Sequence, residues 1–289
     1  MRAITGSLAF LSLLLAAIAA HGATVVVPPG PGTPVQDAID AASPGDTIRL
    51  MVGTYPEHLF INKSIRLRGV RGTSVDPNGT TKVGGGCGGL NATIRIIAQD
   101  VQLQGLQVLG DTPGGVDLLG NRIKLTDIFV SSECPGVTVA LFNIEQGWHV
   151  KLSRLWAVGS PFFDQNIPAG IRIADIVPNG YVRLSKSASA HNEIGVLLDN
   201  VGSGAVRLTR SAVNFNDRGI VLQNADGAIV NGNELVDDTT SGIEIDAASS
   251  GNVILGNRIS GSVTDVADAG SGNCWRRNSF TTGTVAPCP

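Results

Sequence analysis

The sequence predicts an all-β solenoid, and three observations predict it. Four phrases of one kind, Val182-Arg183-Leu184-Ser185, Val206-Arg207-Leu208-Thr209, Ile229-Val230-Asn231-Gly232 and Val253-Ile254-Leu255-Gly256, begin at residues 182, 206, 229 and 253. A second apolar phrase follows in the first three repeats: Gly195-Val196-Leu197-Leu198, Gly219-Ile220-Val221-Leu222 and Gly242-Ile243-Glu244-Ile245. The pieces between, such as Ser211 to Arg218, carry Ser, Asn and Asp and no apolar stripe of helical period. A fixed period of about two dozen residues marks a repeat fold. A leucine-rich repeat would show its Leu/Asn consensus and a helical stretch, and neither is present. Each repeat therefore reads as one coil of two or three short strands, stacked on the next at about 4.8 Å. The fold is a parallel β-helix with a core column of Val, Ile and Leu.

The elements follow in chain order. Residues 1–22 read as a signal peptide: Arg2 precedes the apolar run Leu8 to Ala20, which is short for a membrane span, and small residues follow it. This predicts a secreted or periplasmic protein with no membrane association after cleavage. Residues 23–289 form a single domain, with 23–45 as an N-terminal cap. Within the cap, apolar positions 35, 38, 39 and 42 share one helical face, so a short helix closes the open end of the first coil. Ser43-Pro44-Gly45-Asp46-Thr47-Ile48, Gly53-Thr54-Tyr55-Pro56-Glu57 and Lys63-Ser64-Ile65-Arg66-Leu67-Arg68-Gly69 come next.

This order of helix and motifs resembles the N-terminal cap and first coils of secreted right-handed parallel β-helix proteins, the pectin-lyase-like superfamily. That superfamily includes pectin methylesterases, polysaccharide lyases and uronan epimerases. The resemblance implies a right-handed β-helix through the mature chain and leaves the activity open. Residues 72–93 read as a Gly-rich loop. First phrases then start at Val101, Ile123, Val150 and Val182, and second phrases at Val116, Val137, Ile171 and Val196. The coils enlarge at residues 158–169, and repeat scaffolds place insertions on one face, often the binding face. Residues 274–289 break the pattern and form a C-terminal cap, with Trp275 covering the last coil.

A formal charge of −3 and 4% aromatic residues argue against a basic nucleic-acid binder. Cys274 and Cys288 are expected to pair, with Cys87 and Cys134 as a second disulfide, in keeping with export. With 4 scattered His and 2 Met, no metal site or cofactor is expected, and the chain is expected to be a monomer.

The superfamily's activity motifs are missing. There is no Asp-Pro-His-Glu run, no Asn-Thr-Asp with Asp-Asp and Gly-His-Gly, and neither the paired aspartates of the methylesterases nor the arginine signature of the pectate lyases. What remains is strand alternation. If Val, Ile and Leu point inward, then Gln102, Lys124, Lys151, Arg183 and Arg207 form one outward column, and Asp127, Arg154, Lys186 and Arg210 a second. Such a ladder suits a linear polyanion, an acidic polysaccharide outside a cell. The competing reading is a solvated face whose cations turn to Asp175, Glu193, Asp199 and Asp217. One residue before the inward column stand Arg122, His149, Tyr181 and Ala205. Here Lys151 or Arg183 would neutralise a uronate, His149 or Asp164 abstract its acidified proton, and Tyr181 donate one, the steps of a lyase or epimerase. Phe162 and Phe163 in the enlarged loop are candidate sugar-stacking residues, Arg154 joins the binding set, and Trp148 and Trp156 are assigned to the core. The expectation is thus a protein that binds or processes an acidic polysaccharide; the alternative is a non-catalytic glycan-binding, adhesion or surface module.

Overall fold

The computed structural model describes residues 22–70, 73–75, 92–110, 114–132, 139–159, 167–176, 179–286 and 288. Residues 1–21 of the segment read as a signal peptide, together with Cys87, Cys134, Phe162, Phe163 and Asp164, lie outside the described residues. Among the described residues one helix, Pro34–Ala41, accompanies two parallel sheets of 17 and 10 strands.

A single coil shows why the sheets form. In the coil starting at Val182, the strand Val182–Ser185 is followed by the corner residue Lys186 and the strand Ala188–Ala190. A turn at 191–193 leads to Ile194–Val201, and a return at 202–205 closes the coil. The first two strands belong to the 17-stranded sheet, which bends at the corner into a first and a second arm; the third belongs to the ten-stranded sheet. In earlier coils the two arms are one bent strand, as in Lys124–Ser132 and Val150–Val158. The corner is a column of left-handed residues: Gly105, Asp127, Arg154, Lys186, Arg210, Gly232, Gly256 and Arg277 all have φ between 52° and 70°. That conformation costs a non-glycine residue of the order of 1 kcal/mol, and Lys186 and Arg210 offset it, as Gly232 and Gly256 also do, with a corner N–H donated to the next coil, Lys186 to the Thr209 carbonyl at 3.1 Å.

Register fixes the core. Leu67, Leu103, Leu125, Leu152, Leu184, Leu208, Val230, Ile254 and Trp275 are successive partners. None of them exceeds 5% exposure. Trp275 terminates this column, and its indole donates to Asp268 Oδ2 at 2.6 Å. Cys274 and Cys288 form the disulfide that ties down the tail.

The motifs that carry the family resemblance have structural work at the other end. The helix buries Val35 and Ile39 against the first coil. Glu57 receives the backbone N–H groups of Val35 and Gln36 at 3.0 and 2.8 Å, so a carboxylate from the next coil caps the helix start. Asp46 accepts from Ala23 and Ser43, and the Tyr55 hydroxyl donates to the Val27 and Met51 carbonyls. Thr24–Val27 already pairs in parallel with Thr47–Leu50.

Between the second arm and the ten-stranded sheet, residues 191–193, 215–217 and 237–240 suffice in later coils; among the earlier ones 56–58 and 111–113 are equally short, whereas 76–93, 133–139 and 159–168 are longer. The coil enlargement read at 158–169 therefore has counterparts at the same corner. One of them displaces a predicted phrase: Phe142, not Val137, pairs with Val116 and Ile171.

Candidate functional site

The predicted outward column exists. Arg66, Gln102, Lys124, Lys151, Arg183 and Arg207 are successive register partners on the first arm. Arg49 and Arg68 adjoin them in the parallel column. Lys124, Lys151, Arg183 and Arg207 are exposed and have no carboxylate partner among the described residues. The acids that might have neutralised them are engaged elsewhere: Asp175 with Asn200, Glu193 with Arg218, Asp199 with Arg172 and Asp217 with Thr240. Adjacent like charges at the strand spacing of about 4.8 Å cost roughly 1 kcal/mol per pair even in water.

Arg154 differs from that set. It stands at the left-handed corner and holds Asp127 with two hydrogen bonds, Nε to Oδ1 at 2.5 Å and Nη2 to Oδ2 at 2.8 Å. The contact lowers the Asp127 pKa and raises that of Arg154, so this arginine is spoken for. Arg122 likewise clamps Asp100.

The strand edge before the cations is aromatic. The His149 and Tyr181 rings lie 4.6 Å apart, and Trp148 and His149 5.1 Å apart. The Arg183 guanidinium sits 4.9 Å from the Tyr181 ring centre, and the Trp148 indole donates to the Asn179 carbonyl. Stacking of successive coils thus joins His149, Tyr181 and Arg183 as their register requires. A hollow of about 340 Å³ beside them is lined by residues 179–183, 203–205 and Arg207. Chemically the cluster offers cations, an imidazole and a phenol. Trp148 and Trp156 depart from their expected core placement, being 40% and 38% exposed: Trp148 precedes the strand, and Trp156 points outward beside Phe129 on the second arm.

The ten-stranded sheet carries a polar ladder that sequence reasoning missed. Arg95, Asp117, Asn143 and Arg172 are successive outward partners, followed by Leu197 and Val221. The Asn143 amide donates to Asp117 Oδ1 at 3.0 Å and to Glu145 Oε2 at 3.4 Å. Arg172 donates to Asn143 Oδ1 at 3.1 Å and Asp199 Oδ2 at 2.7 Å, and lies 4.0 Å from Glu145. Burial, opposed by the Asn143 hydrogen bond and by Arg95, raises the Asp117 pKa; the Glu145 charge adds to the rise. The signal was present in Val116-Asp117-Leu118, Phe142-Asn143-Ile144-Glu145 and Ile171-Arg172-Ile173, polar where the later coils place Leu197 and Val221. The misplaced Val137 register hid its continuity.

Comparison with known proteins agrees with this architecture. Residues 155–286 match the sequence family described as periplasmic copper-binding protein (NosD). Among solved structures, the pectate lyase Pel9A superposes with a TM-score of 0.57 at 13% identity, over 90% of this chain and 77% of that one. ORF18 of Geobacillus virus E2 superposes with a TM-score of 0.52 at 15% identity, over 89% of this chain. The chain spans only 62% of that viral protein's length. No curated protein matches the sequence significantly. The fold is a parallel β-helix, the same architecture as that pectate lyase.

Proposed function

We propose that this chain is an exported β-helix protein that takes up an acidic polysaccharide along the first arm. The observation that carries the reading is the stack Lys124, Lys151, Arg183 and Arg207, in register and without carboxylate partners among the described residues, on a chain of net charge −3. An anionic chain can lie along the coil axis with one cation met at each coil. Arg66 extends the track beyond Gln102, and the hollow beside Tyr181 flanks it at Arg183 and Arg207. The Cys274–Cys288 disulfide fits an oxidising compartment, periplasmic or extracellular. Electrophoresis through gels containing a polyuronate or a neutral glucan tests this. The protein should be retarded only by the polyuronate, and Lys151→Glu with Arg183→Glu should abolish retardation; equal mobility of both proteins would refute the reading.

A second reading, lyase or epimerase chemistry, is favoured by the contact of His149, Tyr181 and Arg183. Arg183 would neutralise the uronate, His149 take the proton and Tyr181 donate one. His149→Ala and Tyr181→Phe should each lower release of unsaturated uronate products or proton exchange at the acidified carbon. Unchanged rates would remove the reading. Copper, named in the family description, does not suit these residues. Among the described residues no three His, Cys, Asp or Glu side chains converge. His58, His149 and His191 lie in different parts of the coil path, and both described cysteines are in the disulfide.

A further inference from the structure

The cation column on the first arm has two ends, and they differ. On its N-terminal side the column runs on through Gln102 to Arg66, with Arg68 and Arg49 alongside. After Arg207 the cations stop: the next register partners are Ile229 and Val253, both half-buried, and then Cys274, held in the disulfide. The balance of charge turns at the same point, since residues 211–289 hold 4 Lys and Arg against 9 Asp and Glu. A polyanion is attracted along the coils before this boundary and repelled beyond it.

The hollow of about 340 Å³ lies at the boundary, because Arg183 and Arg207 both line it, with Tyr181 and the return turns at 179–180 and 203–205. Ligand pockets run from about 300 Å³ upward, so this one has room for a single sugar unit and not for a length of chain. Its walls are held before anything binds. The Trp148 indole fixes the Asn179 carbonyl, and Tyr181 meets the His149 ring at 4.6 Å and the Arg183 guanidinium at 4.9 Å. On the far side the following return turn packs against 203–204: a Cβ on Gly227 would lie 2.7 Å from Ser203 Oγ and 2.8 Å from the Gly204 nitrogen. These two turns leave no passage between them. Asp226, beside that glycine, keeps its carboxylate on Ser250 and adds a negative charge there.

The cations also change kind along the column. Lys124 and Lys151 are point charges on flexible stems, which attract a carboxylate without orienting it. Arg183 and Arg207 carry planar forks that grip one by two parallel hydrogen bonds. Loose attraction gives way to oriented binding where the column ends and the hollow begins.

We infer that the hollow takes the terminal sugar of the acidic polysaccharide, so that this protein binds its polymer at a chain end and not along the middle. The inference rests on the polysaccharide reading above and gives that track a direction. Arg183 and Arg207 hold the carboxylate of the last uronate, Tyr181 and Ser203 offer hydroxyl groups to its own, and the units behind it pass over Lys151 and Lys124 toward Arg66.

The test uses the whole exported chain with size-fractionated pieces of a polyuronate that retards it. The number of protein molecules bound per polymer chain at saturation, read by light scattering, should stay constant as the chains lengthen. A number rising in proportion to length overturns the inference and leaves the binding proposal standing. Long chains are then altered at one terminus, by reducing the reducing end to an alditol or by converting the non-reducing unit to its unsaturated form. At least one alteration should weaken binding, which a mid-chain binder would not register; unchanged binding after both overturns the inference. A dimer, which has no second place to bind, should lose about tenfold or more in affinity in Arg207→Gln. No dimer binding to wild type, or equal affinity in the two proteins, counts against the hollow. No retardation by any polyuronate would remove the polysaccharide reading, and this inference with it.

Discussion

Replacing Asp238 by asparagine should stabilise the protein at neutral and alkaline pH and leave it unchanged in acid. Asp238 is fully buried at the turn before the ten-stranded sheet, where the two preceding coils place Asn192 and Asn216. Its Oδ1 accepts both the backbone N–H and the side-chain amide of Asn216, at 2.9 and 3.0 Å, while its Oδ2 has no partner. Burial raises its pKa from 3.8 to about 7, with the charge of Asp237 adding and the two Asn216 hydrogen bonds opposing. The sign follows from proton counting. Below about pH 4 the carboxyl is neutral in folded and unfolded chains alike. Between pH 4 and 7 the unfolded chain releases the proton and the folded chain keeps it, so stability falls as pH rises. Above pH 7 the folded protein buries a carboxylate, and the accumulated loss is about 4 kcal/mol. Asparagine presents the same shape without the charge, and the Asn192 and Asn216 amides show the bond open to it, to the carbonyl two residues back. Urea midpoints of wild type and Asp238→Asn from pH 4 to 8.5 read the effect as a difference. Parallel pH curves for the two proteins would refute the reasoning.

Three further perturbations probe the scaffold. Asn257→Ala deprives the buried Asn233 backbone N–H and amide of their shared acceptor, at 2.9 and 3.0 Å; it should cost about 2 to 3 kcal/mol, seen as a lower urea midpoint. Cys274→Ser opens a disulfide loop with a sequence separation of 14 and should cost about 3 kcal/mol, with loss of protection first in the last coil by amide exchange. Leu208→Ala removes a fully buried member of the leucine column and should cost about 2 to 5 kcal/mol, again read from denaturant midpoints.

Much of the fold was legible because stacking turns a sequence period into a spatial neighbour relation. Val182, Arg183 and Leu184 pair with Val206, Arg207 and Leu208 as their alternation demands, and the cation column and the His149 and Tyr181 contact follow from the same register. The C-terminal tail was legible for a second reason, since two cysteines so near in sequence after Trp275 can close only a short loop. The register failed where a connection of variable length intervened. Nothing local in 133–139 fixes where the following strand begins, so Val137 drew the pairing that belongs to Phe142, and the ladder through Asn143 went unseen. Polar ladders were read in part. Asn216, Asn233, Asn257 and Asn278 stack between coils, but an aspartate replacing asparagine at 238 gives no sign in sequence that it is buried. The second column read from the sequence already set Arg154 beside Asp127; the corner geometry turns that adjacency into an ion pair and takes Arg154 out of the set of unpaired cations.

The central claim, that unneutralised cations stacked coil on coil form the binding track, is tested most directly by measuring affinity for a polyuronate across a series of NaCl concentrations. Wild type and a variant with Lys124, Lys151, Arg183 and Arg207 all changed to alanine should be compared. Wild-type binding should weaken steeply with salt, and the variant should bind at least about tenfold more weakly with a much shallower dependence. Equal affinity and equal salt dependence in the two proteins would contradict it.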